Sequence, residues 1–184
     1  FRSFTYDDLG RMETQTKDAA NPVVSTYTYD ADGRRLSQSV SAGGLIQSSS
    51  SVYDLSGRLI QSTDASALVT GYNHASGGRI TTVNRPGGAT EITERYLDGR
   101  VKSITGTGVI SRYYSYGANA DGTRWTRIDT GSPSSPMWET TTVDLLGRTI
   151  KVEKLGYAGT EITIQVYNDR GQLIRTATTG LAAT

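Results

Sequence analysis

The chain contains no cysteine and a single histidine, His74. The first absence excludes a disulfide framework, a thiolate metal site and a cysteine nucleophile. The second excludes multi-histidine metal sites and leaves a histidine-based triad one candidate. No apolar run approaches the ~20 residues that a membrane-spanning helix needs, and no N-terminal stretch reads as a signal peptide. Neither sign of charge dominates: 19 Lys and Arg face 18 Asp and Glu, for a net charge of +1. That balance argues against a nucleic-acid partner and supplies no polybasic segment for an anionic membrane. Proline is scarce, at 4 residues, and charged residues make up only 20%. Disordered chains carry more of both and fewer aromatics.

What is present points to a polar β-sheet with many turns. Tyrosine numbers 11 and glycine 21, and 19 serines with 26 threonines make up a quarter of the 184 residues. β-Branched and aromatic residues suit strands, and glycine and aspartate suit turns.

Self-similarity organises the whole chain. Tyr6-Asp7-Asp8-Leu9-Gly10-Arg11-Met12 returns as Tyr29-Asp30-Ala31-Asp32-Gly33-Arg34-Arg35 and as Tyr53-Asp54-Leu55-Ser56-Gly57-Arg58-Leu59. Degenerate copies follow. Tyr72 to Gly78 reads as a copy with two extra residues, Tyr96 to Gly99 as one residue short, and Tyr116 to Gly122 as stretched. Val143 to Gly147 replaces the tyrosine, and Tyr167 to Gly171 carries Asn168 and Gln172 in place of Asp and Arg. The marker glycines Gly10, Gly33, Gly57, Gly78, Gly99, Gly122, Gly147 and Gly171 are 21 to 25 residues apart, with a mean of 23.

Each unit has a physical reading. Period-two stretches such as Phe4-Thr5-Tyr6 and Tyr27-Thr28-Tyr29 argue strand. Asp7, Asp30, Asp54 and Asp144 open type I turns by accepting backbone N–H groups, and the glycine three residues on takes a positive φ without a steric penalty. A strand follows, and a looser turn closes the unit at Ser41–Gly44, Arg85–Gly88, Gly106–Gly108, Tyr157–Gly159 and Thr179–Gly180. The expectation is an all-β fold: eight two-stranded hairpins of about 23 residues, covering residues 1–184 as one array with no separate catalytic domain. Sixteen strands at ~4.8 Å would span roughly 75 Å. Open sheets rarely exceed ~10 strands without curling, so a coiled or spiralling, solenoid- or shell-like sheet is expected.

The motif Tyr-Asp-x-x-Gly-Arg-Leu, with an aromatic residue two positions before the tyrosine, resembles the YD repeat of RHS-type proteins. That family includes bacterial RHS toxins, the shell component of insecticidal toxin complexes, wall-associated bacterial proteins and teneurins. The resemblance implies hairpins in a long strip that winds into a hollow shell, and a structural rather than an enzymatic role for the repeats. The family's self-cleaving segment is rich in Asp-Pro and Asn-Asn-Pro. Neither occurs in this chain, so no catalytic residue, cofactor or metal ligand is assigned.

Candidate sites are few. The Asp/Arg pairs around the turns read as turn closure with exposed ion pairs, each worth ~0–1 kcal/mol. His74 reads as a surface turn residue. Acidic residues such as Glu91, Glu94 and Asp98 give no basis for choosing a catalytic carboxylate pair. Trp125, Trp138 and Tyr113 are the candidate glycan contacts, set against a core role in which Trp125 replaces a leucine. No Asn-x-Ser/Thr sequon occurs, which leaves Ser48–Ser51 and the segment 130–136 as candidates for O-linked sugar. The second is also the candidate looped-out insertion. The chain opens at Phe1 and ends at Leu181-Ala182-Ala183-Thr184 still in repeat phase. It reads as a window of a longer array or a subunit stacking end to end. The expected role is a non-enzymatic, extracellular, secreted bacterial fibre, wall or shell with itself as partner. Carbohydrate adhesion and a segment of a toxin-encapsulating shell are the alternatives.

Overall fold

The computed structural model describes residues 1–18, 20–157 and 159–179. The looser turns expected at Tyr157–Gly159 and Thr179–Gly180, and the terminal Leu181–Thr184, fall wholly or partly outside the described residues. The described chain is all-β. Its one helical element is a short 3-10 turn at Ser76–Gly78. No described helix is long and apolar enough to cross a membrane.

The chain divides into two compact units, Phe1–Thr90 and Glu91–Thr184, each holding four marker glycines. The first carries β1 (Arg2–Tyr6), β2 (Met12–Lys17), β3 (Val23–Tyr29), β4 (Arg35–Ala42), β5 (Leu45–Tyr53), β6 (Leu59–Thr63), β7 (Val69–Ala75) and β8 (Ile80–Asn84). The second carries β9 (Thr90–Arg95), β10 (Val101–Thr105), β11 (Arg112–Ala118), β12 (Arg124–Thr130), β13 (Trp138–Val143), β14 (Thr149–Gly156), β15 (Gly159–Tyr167) and β16 (Leu173–Thr179). Within each unit the strands follow chain order as an antiparallel meander. The two strands per repeat and sixteen strands expected from the sequence are what the structure shows.

The connections alternate in kind. The marker turns lie inside each repeat, and the looser turns join one repeat to the next. Ala42 faces Leu45 across the tight Gly43-Gly44 loop, where both glycines have positive φ (56° and 82°), as a type I′ turn requires. Asp64–Leu68 repeats the marker-turn geometry with Ala67, at φ 60°, in the glycine place. The segment 131–137 loops out between β12 and β13, closed by the Thr130 N–H donating to Met137 O at 2.8 Å. Ser48–Ser51, by contrast, lie within β5.

No described hydrophobic residue is fully buried; the buried residues are Ser103, Asp129, Ser135 and Thr142. Strand pairing and cross-strand contacts therefore carry the fold, rather than a closed core. In the first unit, threonine and serine face one another from strand to strand: Thr5, Thr14, Thr26, Ser39 and Ser48 form one row across β1 to β5. Within hairpins the hydroxyls pair directly, Thr5 with Thr14 at 2.7 Å and Thr28 with Ser37 at 2.6 Å. Such pairs are a recognised unit of sheet stabilisation.

Candidate functional site

The repeated feature of the molecule is a clamp that joins one hairpin to the next, built up from the turn. In the first copy the N–H groups of Leu9 and Arg11 donate to Asp7 Oδ1 at 3.0 and 2.9 Å, and Arg11 Nε donates to Oδ2 at 2.7 Å. The Gly10 N–H donates to Asp7 O at 2.9 Å, with Gly10 at φ 76°. One carboxylate thus satisfies two turn amides and anchors a guanidinium. Asp30 with Arg34, Asp54 with Arg58 and Asp144 with Arg148 repeat the arrangement. In the last copy the neutral pair Asn168–Gln172 reproduces it: the N–H groups of Arg170 and Gln172 donate to Asn168 Oδ1, and Asn168 Nδ2 donates to Gln172 Oε1. A neutral side-chain acceptor therefore serves at this position as a carboxylate does.

The ionised pairs hold their carboxyls below the usual range. At Asp7 and Asp54 the leading cause is the arginine backbone N–H, joined by the guanidinium. At Asp30 and Asp144 partial burial opposes the charged form and is outweighed by the same two donors.

Four of the turn arginines then reach the following repeat. Arg11 stacks over the Tyr29 ring at 5.0 Å, Arg34 over Tyr53 at 5.2 Å, Arg100 over Tyr116 at 4.4 Å and Arg148 over Tyr167 at 4.9 Å. Arg11 Nη1 also donates to Asp30 O at 2.7 Å. Each of these tyrosines donates back to the carbonyl two residues past the preceding marker glycine: Tyr29 to Met12 at 2.9 Å, Tyr53 to Arg35 at 3.4 Å, Tyr116 to Val101 at 2.9 Å and Tyr167 to Thr149 at 2.9 Å. Aspartate fixes arginine, arginine covers tyrosine, and tyrosine returns to the strand that arginine began.

This link coincides with one register. Wherever it is made, the residue four beyond the glycine faces the residue three before the link residue. The pairs are Thr14 with Thr26, Ser37 with Ser50, Gln61 with Gly71, Ser103 with Tyr113 and Lys151 with Ile164. Between β12 and β13, Val143 brings no hydroxyl, and Thr126 faces Thr141, one residue off that rule.

Three sequence readings are corrected by this frame. His74 is not a turn residue. It lies within β7, one residue before its end, and its Nε2 lies 2.8 Å from Leu59 O, the place of the tyrosine hydroxyl. The fourth copy is therefore His74-Ala75-Ser76-Gly77-Gly78 and has no extra residues. Ala75 stands where Asp or Asn stands in most copies, and the turn differs: Ala75 faces Ile80 directly, and Ser76, Gly77 and Gly78 all have positive φ. The fifth copy is not short, because Tyr96 occupies the Asp position: its N–H donates to Arg100 O and its own carbonyl accepts from the Gly99 N–H. Asp98 takes over the pairing with Arg100. The sixth copy is stretched only in its strand, since Asn119 and Gly122 close a turn of ordinary length.

The structure gives Gly33, Gly57, Gly99, Gly122, Gly147 and Gly171 φ values of 77° to 85°. Gly57 also leaves room for the Arg34 guanidinium, which a Cβ at that position would strike.

Trp125, Trp138 and Tyr113 share one face of the second unit. Tyr113 and Trp138 flank Asp129 on either side, and Trp125 faces Gly117 and Thr142. The Trp125 ring lies against Gly117, where a Cβ would collide with it. Arg127 covers the Trp138 ring at 4.6 Å and donates to the buried Asp129 carboxylate from Nε at 3.1 Å and Nη2 at 2.8 Å. A shallow depression of about 290 Å³ alongside is lined by Trp125, Arg127, Thr140, Thr142, Lys151 and Glu153. One face of each indole is thus engaged within the sheet, and the charges beside them are paired with one another. No group of three metal-ligating side chains occurs among the described residues.

Comparison with known proteins places this geometry. No family model and no curated protein matches the chain. Solved structures do. TcdB2–TccC3 without its hypervariable C-terminal region aligns with a TM-score of 0.66 at 17% identity, over 96% of this chain and 10% of that one. The Tc holotoxin pore of Photorhabdus luminescens aligns at 0.63 and 18%, over 94% and 10%. The TcdB2–TccC3–Cdc42 structure gives the same values. The fold is shared with chains of these Tc toxin structures. This chain spans about a tenth of the length of those matched chains.

Proposed function

We propose that the chain is a length of non-enzymatic, secreted bacterial scaffold that acts as one continuous repeat array, a piece of shell-like wall of the Tc toxin kind. The observation that carries this reading is the clamp, which makes the same hydroxyl or imidazole link in the same register at five junctions. Such an element propagates a sheet at fixed register without needing a closed core, as a wall requires. The extended backbone ladder and the fold shared with toxin-complex chains support it. Electron cryomicroscopy of the longest native chain containing these repeats tests the reading. Density showing the hairpins edge to edge in a curved wall around an interior is the expected result. Hairpins strung along a thin solvated stalk would contradict it.

A further inference from the structure

On the face of the second unit opposite the clamp residue Tyr116, three strands set six side chains in a grid. Trp125, Thr142 and Lys151 face one another across β12, β13 and β14, and Arg127, Thr140 and Glu153 form the next row. Strand spacing and rise make this a patch of about 10 Å by 7 Å. The six line, with Asn119, the depression of about 290 Å³, a volume at the small end of ligand pockets. β12, β13 and β14 each have a paired strand on both sides, so the depression is interior to the sheet. Thr142 is only 5% exposed, yet no described residue hydrogen-bonds its hydroxyl. Every described side-chain nitrogen or oxygen shut off from solvent has a partner, so this hydroxyl opens into the depression that it lines. The Trp125 Nε1–H is likewise without a described partner, and its ring lies against Gly117 on one side and borders the depression on the other. The charges around them cancel: Lys151 Nζ lies 3.0 Å from Glu153 Oε2, and Arg127 Nη2 lies 2.8 Å from Asp129 Oδ1.

We propose that this grid is a binding site for a neutral sugar, one gluco-configured pyranose ring of a β-linked saccharide. The C–H face of the ring covers the indole, which offers a large apolar surface with one polar edge. The sugar hydroxyls reach Thr142, Thr140 and the Lys151–Glu153 pair. A hydroxyl both donates and accepts, and the grid supplies both: ammonium and indole N–H donors, a carboxylate acceptor, and threonine hydroxyls that do either. An anion would meet Glu153, and a cation would meet Lys151 and Arg127, so the paired charges select against ionised ligands. A ring with all substituents equatorial turns only axial C–H groups toward the indole, which favours the gluco configuration. Of the three aromatic residues singled out in the sequence, Trp125 alone lines this depression; the Trp138 ring is covered by Arg127. The site does not depend on the scaffold reading, since a sheet face can carry it whatever the array encloses.

The chain has two tryptophans, so their indole N–H cross-peaks report the site by NMR, assigned with a Trp125→Phe chain. Titration with cellobiose should move the Trp125 peak saturably, with a Kd on the order of 1–10 mM for so shallow a site. Glucuronate and protonated glucosamine should bind about fivefold more weakly. Thr142→Val keeps the side-chain shape and deletes the hydroxyl. It should weaken cellobiose about fivefold and leave the melting temperature equal or higher, because the lost hydroxyl has no protein partner. Thr141→Val, on the opposite face of the same strand, should leave binding unchanged. Lys151→Met, at a side chain 40% exposed, gives a second reading that folding does not limit and should weaken binding about threefold. A Trp125 peak that stays in place up to about 100 mM cellobiose, far above that Kd, would overturn the site. So would undiminished binding by both Thr142→Val and Lys151→Met. Tighter binding of glucuronate or glucosamine than of cellobiose would overturn the ligand class.

Discussion

His74 Nε2 lies 2.8 Å from the carbonyl oxygen of Leu59, the position that a tyrosine hydroxyl takes in the junctions before it. An imidazole with its proton on Nε2 donates there as a phenol does, and the Thr81 hydroxyl, 3.4 Å from Nδ1, completes the ring's contacts. The shared requirement is a flat ring with a donor at its far end.

Exchanging His74 separates the ring from the donor. His74→Tyr should keep the link and leave stability within about 0.5 kcal/mol. His74→Phe keeps a ring, loses the donor and should cost about 1 kcal/mol. Urea unfolding of the three chains checks both values; equal stability of the Phe and Tyr variants would remove the hydrogen bond from the account.

The turn aspartates predict an acid limit. Arg58 holds the Asp54 carboxyl below its ordinary value through its N–H and guanidinium, and Asp7, Asp30 and Asp144 are lowered likewise. A carboxyl lowered in the folded chain contributes stability above its unfolded value of about 3.9, and loses that contribution as pH falls through the folded value. Melting temperature should therefore be flat from about pH 7 to 5 and fall below about pH 4. Asp54→Asn should soften the fall, since Asn168 already serves at the same place. Thermal scans across pH measure it.

Two glycines separate backbone strain from crowding. Gly33 and Gly57 both have positive φ, at 84° and 78°, but only a Cβ at Gly57 would strike Arg34. Gly33→Ala should cost about 1 kcal/mol from strain. Gly57→Ala should cost a further ~0.5–1 kcal/mol, because Arg34 must leave the Tyr53 ring. Adding Tyr53→Leu should erase the difference.

Gly117 is a packing glycine. Gly117→Ala should cost about 1–3 kcal/mol through overpacking against the indole of Trp125, with a shift in tryptophan emission. In a Trp125→Val background the same change should be nearly neutral.

Much of this fold is legible in the residues. Asp54-Leu55-Ser56-Gly57 names its own turn because one carboxylate and one positive-φ glycine suffice to make it, and the period-two stretches on either side can only be strands. The clamp is not legible, because Tyr53 meets Arg34 and Arg35 only after two strands have folded back. The fourth and fifth copies are obscured for a related reason: Tyr72 and Tyr96 draw the motif toward a residue type, whereas in these two copies spacing from the glycine fixes the role. His74 and Arg95 stand four residues before Gly78 and Gly99, as Tyr29 stands before Gly33. The Asp64–Leu68 turn was hidden because alanine holds a place where glycine is expected. The pairing of Trp125 with Gly117 depends on register, which no local pattern encodes.

A ring donor in each linked repeat pins the register of the strand before it. Nuclear Overhauser contacts in the isotope-labelled chain test this most directly. Cross-peaks are expected from the ring protons of Tyr29, Tyr53, His74, Tyr116 and Tyr167 to Met12, Arg35, Leu59, Val101 and Thr149 respectively, together with Hα–Hα contacts or paired amide contacts at the five register pairs. Ring contacts displaced by one residue along the preceding strand, with the strand pairing unchanged, would contradict it.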